Sequence, residues 1–217
     1  MSASNGGVLS EENKNFFTAV QQPFPEILDG KINTAHFLES SRGVVVLVEK
    51  FGKVFAPVKY DMSGNIQKLS DRYITDTEKY KFLNDMILSE KEAGGIHVTD
   101  ALLWLRRALH FFHEFFQCVL NDSRDGTRDE DLVPFLKKAY KETLERYHGW
   151  MAQQLFGLIS RMCPCRSDLL LTLSLGHEGQ EESVMRSLDD FLQGLNSNIQ
   201  LLIEFYQTHG LESDVRV

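Results

Sequence analysis

Hydrophobic residues recur along this chain with the spacing of an α-helix, and this periodicity constrains the fold more than any other feature. Apolar side chains return every three or four residues in four long segments, which span 62–73, 101–119, 133–162 and 184–206. Because an α-helix turns once in about 3.6 residues, this spacing gathers the apolar side chains on one side of each helix. The pattern predicts an all-α protein of about eight helices.

Helix boundaries are indicated by prolines and by residues that cap helix ends. Asp129 can accept hydrogen bonds from the first turn of a following helix, and Pro164 cannot continue a preceding one. The run GVVVLVEKF from Gly43 suits a strand as well as a buried helix, but no partner strand is evident, so a helix is favoured. The longest helices are predicted near 97–121, 130–162 and 180–208.

The composition is that of one ordinary globular domain. With 217 residues, five prolines and no linker-like stretch, the chain predicts a single domain over 11–217 after a disordered leader over 1–10. The net charge of -8 leaves no basic footprint for nucleic acid. The three cysteines are an odd number, and neither a signal peptide nor a long apolar run is present, so a cytoplasmic protein is expected.

A polar stripe lies beside the apolar one in the segment DMSGNIQKLSDRY, which spans 61–73. Asp61, Asn65 and Lys68 follow one another at helical spacing, so a carboxylate, an amide and an ammonium lie along the edge of a hydrophobic face. Asp61 can accept two hydroxyl hydrogen bonds, Asn65 can donate and accept, and Lys68 can donate. This set suits a polyhydroxyl ligand, and the alternative is a solvated helix surface.

Aromatic residues and a histidine supply the other candidates. Trp104 lies on the apolar side of its helix, where an indole can stack on a sugar ring or fill the core. His148 and Trp150 are about 200° apart around a continuous helix, so an inward His148 turns Trp150 outward. Trp150 beside Tyr140 and Lys137 would form a membrane-interface anchor, and packing on a neighbouring helix is the alternative.

Catalytic and metal-binding signatures are lacking. The sequence contains no phosphate-cradling glycine loop, no His-Glu-x-x-His and no nucleophile elbow. Cys163 and Cys165 have no companion ligands at metal-site spacing, and His110 and His113 occupy polar helix positions where solvation is expected. The sequence therefore predicts a protein that is not an enzyme and needs no cofactor or metal.

Four segments in order along the chain resemble the glycolipid transfer protein family. They are VFAPVKYDMSGNIQKL, ALLWLRRALHF, AYKETLERYHGW and a Pro-x-x-Ser-Asp turn from Pro164 to Asp168. The resemblance runs from about Phe16 to the C-terminus. HGLESD, YITD and ALLWL are most similar to the branch whose domain follows a pleckstrin-homology domain, which is not in this chain. The resemblance implies a two-layer all-α sandwich that encloses a pocket for a lipid chain.

The resemblance also implies roles for individual residues. Asp61, Asn65 and Lys68 would hydrogen-bond the first sugar of a glycosphingolipid. Trp104 would stack on that sugar, and His148 would bond the ceramide amide carbonyl, with Asp61 accepting from the amide N–H. The hydrocarbon pocket would include Leu144, Phe156 and Phe191. The membrane-contact positions would be Trp150 and Tyr140, with Lys137 nearby.

The function implied is non-enzymatic transfer of a galactosyl-, glucosyl- or lactosylceramide between membranes, with the protein peripheral and transient at their surfaces. The alternatives are a ceramide-phosphate carrier of the same fold, a glycolipid sensor that binds without delivering, and a scaffold without ligand. The phosphate branch commonly has arginine at the positions of Trp104 and Ala108, so a sugar is favoured, while Arg106 and Arg107 keep the phosphate alternative open. Cys165 stands where the best-known member has a tyrosine.

Overall fold

The structure is a computed structural model that describes residues 14–217. Eight helices of eight residues or more, with one shorter helix before them, confirm the all-α prediction, and no extended strand is found in this part of the chain. The predicted leader over 1–10 lies outside the described residues. The helices are α1 (Phe16–Ala19), α2 (Thr34–Lys50), α3 (Ala56–Tyr73), α4 (Leu83–Glu92), α5 (His97–Asp125), α6 (Val133–Thr143), α7 (Trp150–Ile159), α8 (Arg166–Leu173) and α9 (Glu181–Thr208).

The helices form a two-layer sandwich in which α5 is the central element. α5 packs against α3, α6 and α9, and α2 packs against α3. Leu105, Phe112 and Phe115 of α5 are buried in the resulting core, and each such side chain contributes roughly 1.5–3 kcal/mol by leaving water. The run from Gly43 is helical, as predicted, and buries Val48 against this core.

A side chain from α4 holds the start of α5. The Glu90 carboxylate accepts hydrogen bonds from the backbone N–H groups of Val98 and Thr99 at 3.0 and 2.8 Å, and from the Thr99 hydroxyl at 2.7 Å. These are donors that the first turn of an α-helix leaves unpaired. Burial by itself would raise the pKa of Glu90, but the hydrogen bonds have the larger effect. The pKa of Glu90 is therefore lowered, and the carboxylate stays charged.

The two longest helices keep polar residues outside the core. α5 has 29 residues and α9 has 28, each longer than the roughly 20 residues that span a bilayer. Arg124 and Glu204, however, are exposed on them. Within residues 14–217, no helix is both long enough and apolar enough to cross a membrane.

The prediction of one helix over 130–162 is wrong, because the chain forms two helices with a break between them. α6 ends at Thr143, a short 3₁₀ turn follows, and His148 adopts an extended conformation before α7 begins. Asp129 does not cap α6. Instead, Asp131 Oδ1 accepts a hydrogen bond from the first backbone N–H of α6 at 3.0 Å.

The break after α6 is stabilised by the far end of the chain. The Val217 backbone N–H donates to the Tyr147 carbonyl at 3.0 Å, and the Gly149 N–H donates to the Val217 carbonyl at 2.7 Å. The backbone groups of Tyr147 and Gly149 thus pair with a residue distant in sequence instead of continuing a helix. As a consequence, His148 and Trp150 do not lie on one continuous helix, and the sequence-based expectation that they do is wrong.

Candidate functional site

A cavity of about 490 Å³ lies between α3, α5, α6 and α7. Its volume is in the range of small-molecule binding sites, and its lining is mostly apolar with polar groups at one end. All five predicted headgroup residues line this cavity, namely Asp61, Asn65, Lys68, Trp104 and His148. Three of these residues come from α3, one from α5 and one from the break after α6, so the packing of three separate elements assembles the set.

The carboxylate at the polar end belongs to α3. Asn65 is buried, and its Nδ2 lies 3.5 Å from Asp61 Oδ2, at the long limit of a hydrogen bond. Burial among protein atoms raises the pKa of Asp61, although Lys68 and the hydrogen bond from Asn65 oppose the shift. Asp61 is still exposed at the cavity, so its oxygens remain open to hydroxyl donors.

Trp104 and His148 face each other beside this carboxylate. Their ring centroids are 6.0 Å apart and the ring planes are 18° from parallel. Burial lowers the pKa of His148 and the charge of Arg107 lowers it further, so the imidazole is neutral at pH 7. Burial also raises the pKa of Tyr140 to about 12, so its hydroxyl keeps the proton.

The hydrogen bond between Tyr140 and His148 sets the tautomer of the imidazole. The Tyr140 hydroxyl oxygen lies 2.9 Å from His148 Nδ1. We assign the hydroxyl as the donor to Nδ1, which leaves the imidazole hydrogen on Nε2. His148 Nε2 can then donate to a ligand carbonyl.

Aromatic and aliphatic side chains line the rest of the cavity. Leu144 and Phe156 are among them, at positions predicted for the hydrocarbon pocket. The Phe156 ring stacks on Tyr140 with centroids 3.6 Å apart. Other lining residues could not be identified from helical periodicity, because periodicity does not separate a side chain that fills the core from one that borders a cavity. They include Phe111, Phe112, Phe115, Leu136, Ala152, Leu155 and Ile159.

Phe191 does not line this cavity. It lies on α9, where its ring packs against Phe17 at 5.2 Å and Phe24 at 5.8 Å between centroids. These residues border a separate cavity of about 190 Å³. This placement corrects the prediction that Phe191 shares a pocket with Leu144 and Phe156. The helical period placed Phe191 on the buried side of α9, but packing decides which neighbours it meets.

The predicted membrane-contact residues separate into two environments. Trp150 is 73% exposed, and Lys137 is also exposed. Tyr140 is buried inside the cavity wall with His148 and Phe156, which corrects its predicted place on the surface. The other large exposed apolar side chains of α7 and the turn after it are Met151, Leu155, Leu158 and Met162.

Val217, in the irregular segment over 211–217, lines the cavity next to His148, and helical periodicity gave no indication of it. Val217 is held there by the backbone hydrogen bonds to Tyr147 and Gly149. Arg106 and Arg107 are buried on α5 without lining the cavity. An irregular segment that pairs with a distant turn has no periodic pattern, so no local signal indicated it.

Two histidines of α5 contact a carboxylate on the same helix. His113 Nδ1 lies 3.0 Å and His110 Nε2 3.5 Å from Glu114 Oε1, and both interactions hold the pKa of Glu114 well below its usual range. His113 is buried, which corrects its predicted solvation, while His110 is partly exposed. Throughout the described range of 14–217, no group of three or more His, Cys, Asp or Glu side chains could hold a metal ion.

The family model for "Glycolipid transfer protein (GLTP)" matches residues 32–175. Human pleckstrin homology domain-containing family A member 8 is 35% identical over 223 residues, covering 95% of this chain and 42% of the relative. The Danio rerio protein of the same name is 34% identical over 213 residues, covering 92% of this chain and 38% of the relative. This chain thus spans about two fifths of the length of these relatives.

Solved structures share the fold. One, described as "How FAPP2 Selects Simple Glycosphingolipids Using the GLTP-fold", has a TM-score of 0.84 and 35% identity, covering 94% of this chain and 100% of that chain. Human ceramide-1-phosphate transfer protein in complex with 2:0 ceramide-1-phosphate has a TM-score of 0.74 and 18% identity, covering 90% of this chain and 93% of that chain. The latter likeness concerns the fold alone. Because the family model covers most of the chain and a relative above 30% identity covers nearly all of it, this chain belongs to the glycolipid transfer protein family.

Proposed function

We propose that this chain binds one glycosphingolipid without covalent chemistry and transfers it between membranes. The observation that carries the proposal is a single cavity that joins a carboxylate, an amide, an ammonium and an indole to an apolar interior. A sugar headgroup matches the polar end, and hydrocarbon matches the apolar interior. The similar FAPP2 structure is described as selecting simple glycosphingolipids, which supports a galactosyl-, glucosyl- or lactosylceramide as the ligand.

The polar end offers a complementary group for each part of such a headgroup. Asp61 accepts from sugar hydroxyls and from the ceramide amide N–H, while Asn65 and Lys68 bond other hydroxyls. Trp104 presents its indole face to the sugar ring. His148 Nε2 donates to the amide carbonyl. A lipid without hydroxyls would leave Asp61 and Lys68 without partners, which disfavours its binding.

The apolar interior supports the carrier role energetically. Moving a hydrocarbon chain of about 16 carbons into water costs roughly 13 kcal/mol of hydrophobic free energy, at about 0.8 kcal/mol per methylene. The aromatic and aliphatic lining offers the chain a comparable environment during transfer. Helices can part through side-chain repacking, so the cavity can open without breaking backbone hydrogen bonds.

A phosphate headgroup fits the polar end less well than a sugar. Among the described residues that line the cavity, Lys68 is the only lysine or arginine, and Asp61 would repel a phosphate. Arg106 Nη1 instead pairs with Glu212 Oε1 at 2.6 Å, and Arg107 Nη2 lies 3.5 Å from Glu212 Oε2. These contacts favour glycolipid over ceramide phosphate.

The exposed apolar face of α7 suits transient contact with a membrane. Trp150 and its apolar neighbours, the exposed Met151 and Leu158, could enter the interfacial region while Lys137 meets anionic headgroups. We therefore expect the protein to be peripheral at membrane surfaces. We expect no glycoside hydrolysis, because that reaction normally needs two suitably spaced carboxylates and Asp61 is the only Asp or Glu among the described lining residues.

Vesicle transfer tests the proposal directly. Donor vesicles carrying fluorescent galactosylceramide, ceramide-1-phosphate or ceramide are mixed with acceptor vesicles and the protein, and native mass spectrometry records the lipid that remains bound. We expect rapid transfer of galactosylceramide and slow transfer of the other two. Binding without transfer would identify a sensor, and preferred transfer of ceramide-1-phosphate would identify a phosphate carrier. A complete lack of both binding and transfer would exclude the carrier and the sensor roles.

A further inference from the structure

We propose that Arg107 is a positioning residue that holds two walls of the headgroup site, Trp104 and the segment over 211–217, without itself lining the cavity. The proposal rests on the glycolipid-binding function above and adds a determinant of headgroup selectivity. Arg107 is 3% exposed and is not among the residues that line the cavity, although it contacts Trp104, which does line it. A sugar therefore meets the walls that Arg107 positions and does not meet Arg107.

The first wall is held through aromatic contacts. The guanidinium carbon of Arg107 lies 3.4 Å from the centroid of the Tyr147 ring and 5.0 Å from that of Trp104. The Trp104 and Tyr147 rings meet edge to face, with centroids 6.4 Å apart. Cation–π contacts in a desolvated site stabilise such an arrangement and restrict how the rings rotate. Arg107 thereby fixes the orientation of the indole that faces the cavity.

The second wall is held by a hydrogen bond to its backbone, a contact that Arg107 makes and that, among the described residues, Arg106 does not. Arg107 Nη2 donates a hydrogen bond to the backbone carbonyl of Ser213 and lies 3.5 Å from Glu212 Oε2. Four residues further along, Val217 pairs with the backbone on either side of His148 and lines the cavity. One guanidinium thus connects Trp104 to the segment that contains the lining residue Val217.

Two nitrogens of this guanidinium have no hydrogen-bond partner among the described residues. Arg107 Nε and Nη1 are buried and unpaired, an arrangement that costs stability. Burial also lowers the pKa of Arg107, although Tyr147 and Glu212 oppose the shift. A buried cation with two unpaired donors is costly as a purely structural element. We interpret this cost as tolerated because the planar group stacks on rings and bonds the segment at once, which a lysine cannot reproduce.

Arg106 provides a matched control within the same helix. It is 4% exposed, and its Nη1 lies 2.6 Å from the same carboxyl group of Glu212. Its guanidinium carbon, however, lies 5.2 Å from the centroid of Tyr206 on α9, and no contact with Trp104 or Tyr147 is found among the described residues. A loss caused only by breaking the ion pair with Glu212 should therefore appear in variants of both arginines.

The first experiment needs no ligand. In a Trp150→Phe background, Trp104 is the only tryptophan left of the two in the sequence, so its fluorescence reports on its own environment. We expect Arg107→Met and Arg107→Lys to increase acrylamide quenching of Trp104. Arg106→Met should leave that quenching unchanged. Equal quenching in all variants would overturn the positioning role of Arg107, whether or not the protein binds glycolipid.

The second experiment measures selectivity as the ratio of galactosylceramide binding to ceramide binding, with both lipids presented in phosphatidylcholine vesicles. We expect Arg107→Lys to lower this ratio about tenfold, which corresponds to about 1.4 kcal/mol, and Arg106→Met to preserve it. Circular dichroism and the melting temperature confirm that each variant is folded. Arg107→Lys keeps the charge, so it remains informative if Arg107→Met does not fold.

The outcomes of the second experiment are distinguishable from those of the functional proposal. Failure of the unsubstituted protein to bind galactosylceramide would overturn the proposed function. Normal binding by that protein together with an unchanged ratio in Arg107→Lys would overturn the positioning proposal alone. An equal fall in the ratio for Arg106→Met would also overturn it, since the effect would then belong to the Glu212 ion pair.

Discussion

Replacing Asp61 by valine should remove most glycolipid binding while leaving the fold intact. The carboxylate lies at the polar end of the cavity with its oxygens open to the interior, beside Lys68. A hydrogen bond to a charged group contributes roughly 1.5–3 kcal/mol. Losing one such bond corresponds to a fall in affinity of about 10- to 150-fold, and losing a second bond increases the fall further.

The same substitution should not lower stability. Burial raises the pKa of Asp61 in the folded chain, so at a pH above both pKa values the ionised carboxylate favours the unfolded state. Removing a group whose charge opposes folding leaves the free energy of unfolding equal or higher. A large loss of binding without a loss of stability would indicate a residue maintained for ligand recognition.

Transfer of fluorescent galactosylceramide between vesicles, together with the melting temperature, measures both effects. Asp71→Val is the matched control, because Asp71 lies on the same helix, is exposed and accepts a hydrogen bond from Gln67 at 2.6 Å outside the cavity. Unchanged transfer by folded Asp61→Val would refute the assigned role. An equal loss in Asp71→Val would attribute the effect to α3 as a whole instead of to the carboxylate in the cavity.

Three further predictions concern pH and the two tryptophans. Glycolipid affinity should fall as the pH is lowered through the raised pKa of Asp61, because protonation removes acceptor capacity, and binding titrations of Asp61→Asn should lack this dependence. Trp104→Phe should retain more glycolipid affinity than Trp104→Ala in the same binding assay, and equal losses would argue against ring stacking. Trp150→Ala should slow vesicle transfer, at a cost of up to about 3 kcal/mol in membrane insertion, and preserve affinity for a soluble short-chain glycolipid. An equal loss of soluble-ligand affinity would contradict the membrane role.

The helical layers and one edge of the site were predictable from the sequence. Apolar spacing depends only on the turn of the helix, so the all-α class and the helical run from Gly43 followed from the sequence. Asp61, Asn65 and Lys68 belong to one helix, and their shared side is a consequence of the same period. The motifs that resemble the glycolipid transfer protein family placed Trp104 and His148 at the same cavity, where the structure has them.

Tertiary structure decided what depends on residues distant in sequence. The break that separates α6 from α7 is stabilised by pairing with Val217, which a local pattern cannot indicate, and one continuous helix was therefore predicted. Tyr140 was predicted to lie on the surface beside Trp150, but packing buries it in the cavity wall. The neighbours of Phe191 come from the beginning of the described chain. Periodicity assigns a side chain to the buried side of a helix. Packing between helices determines whether that side chain fills the core, lines the cavity or, as with Arg107, contacts residues that line it.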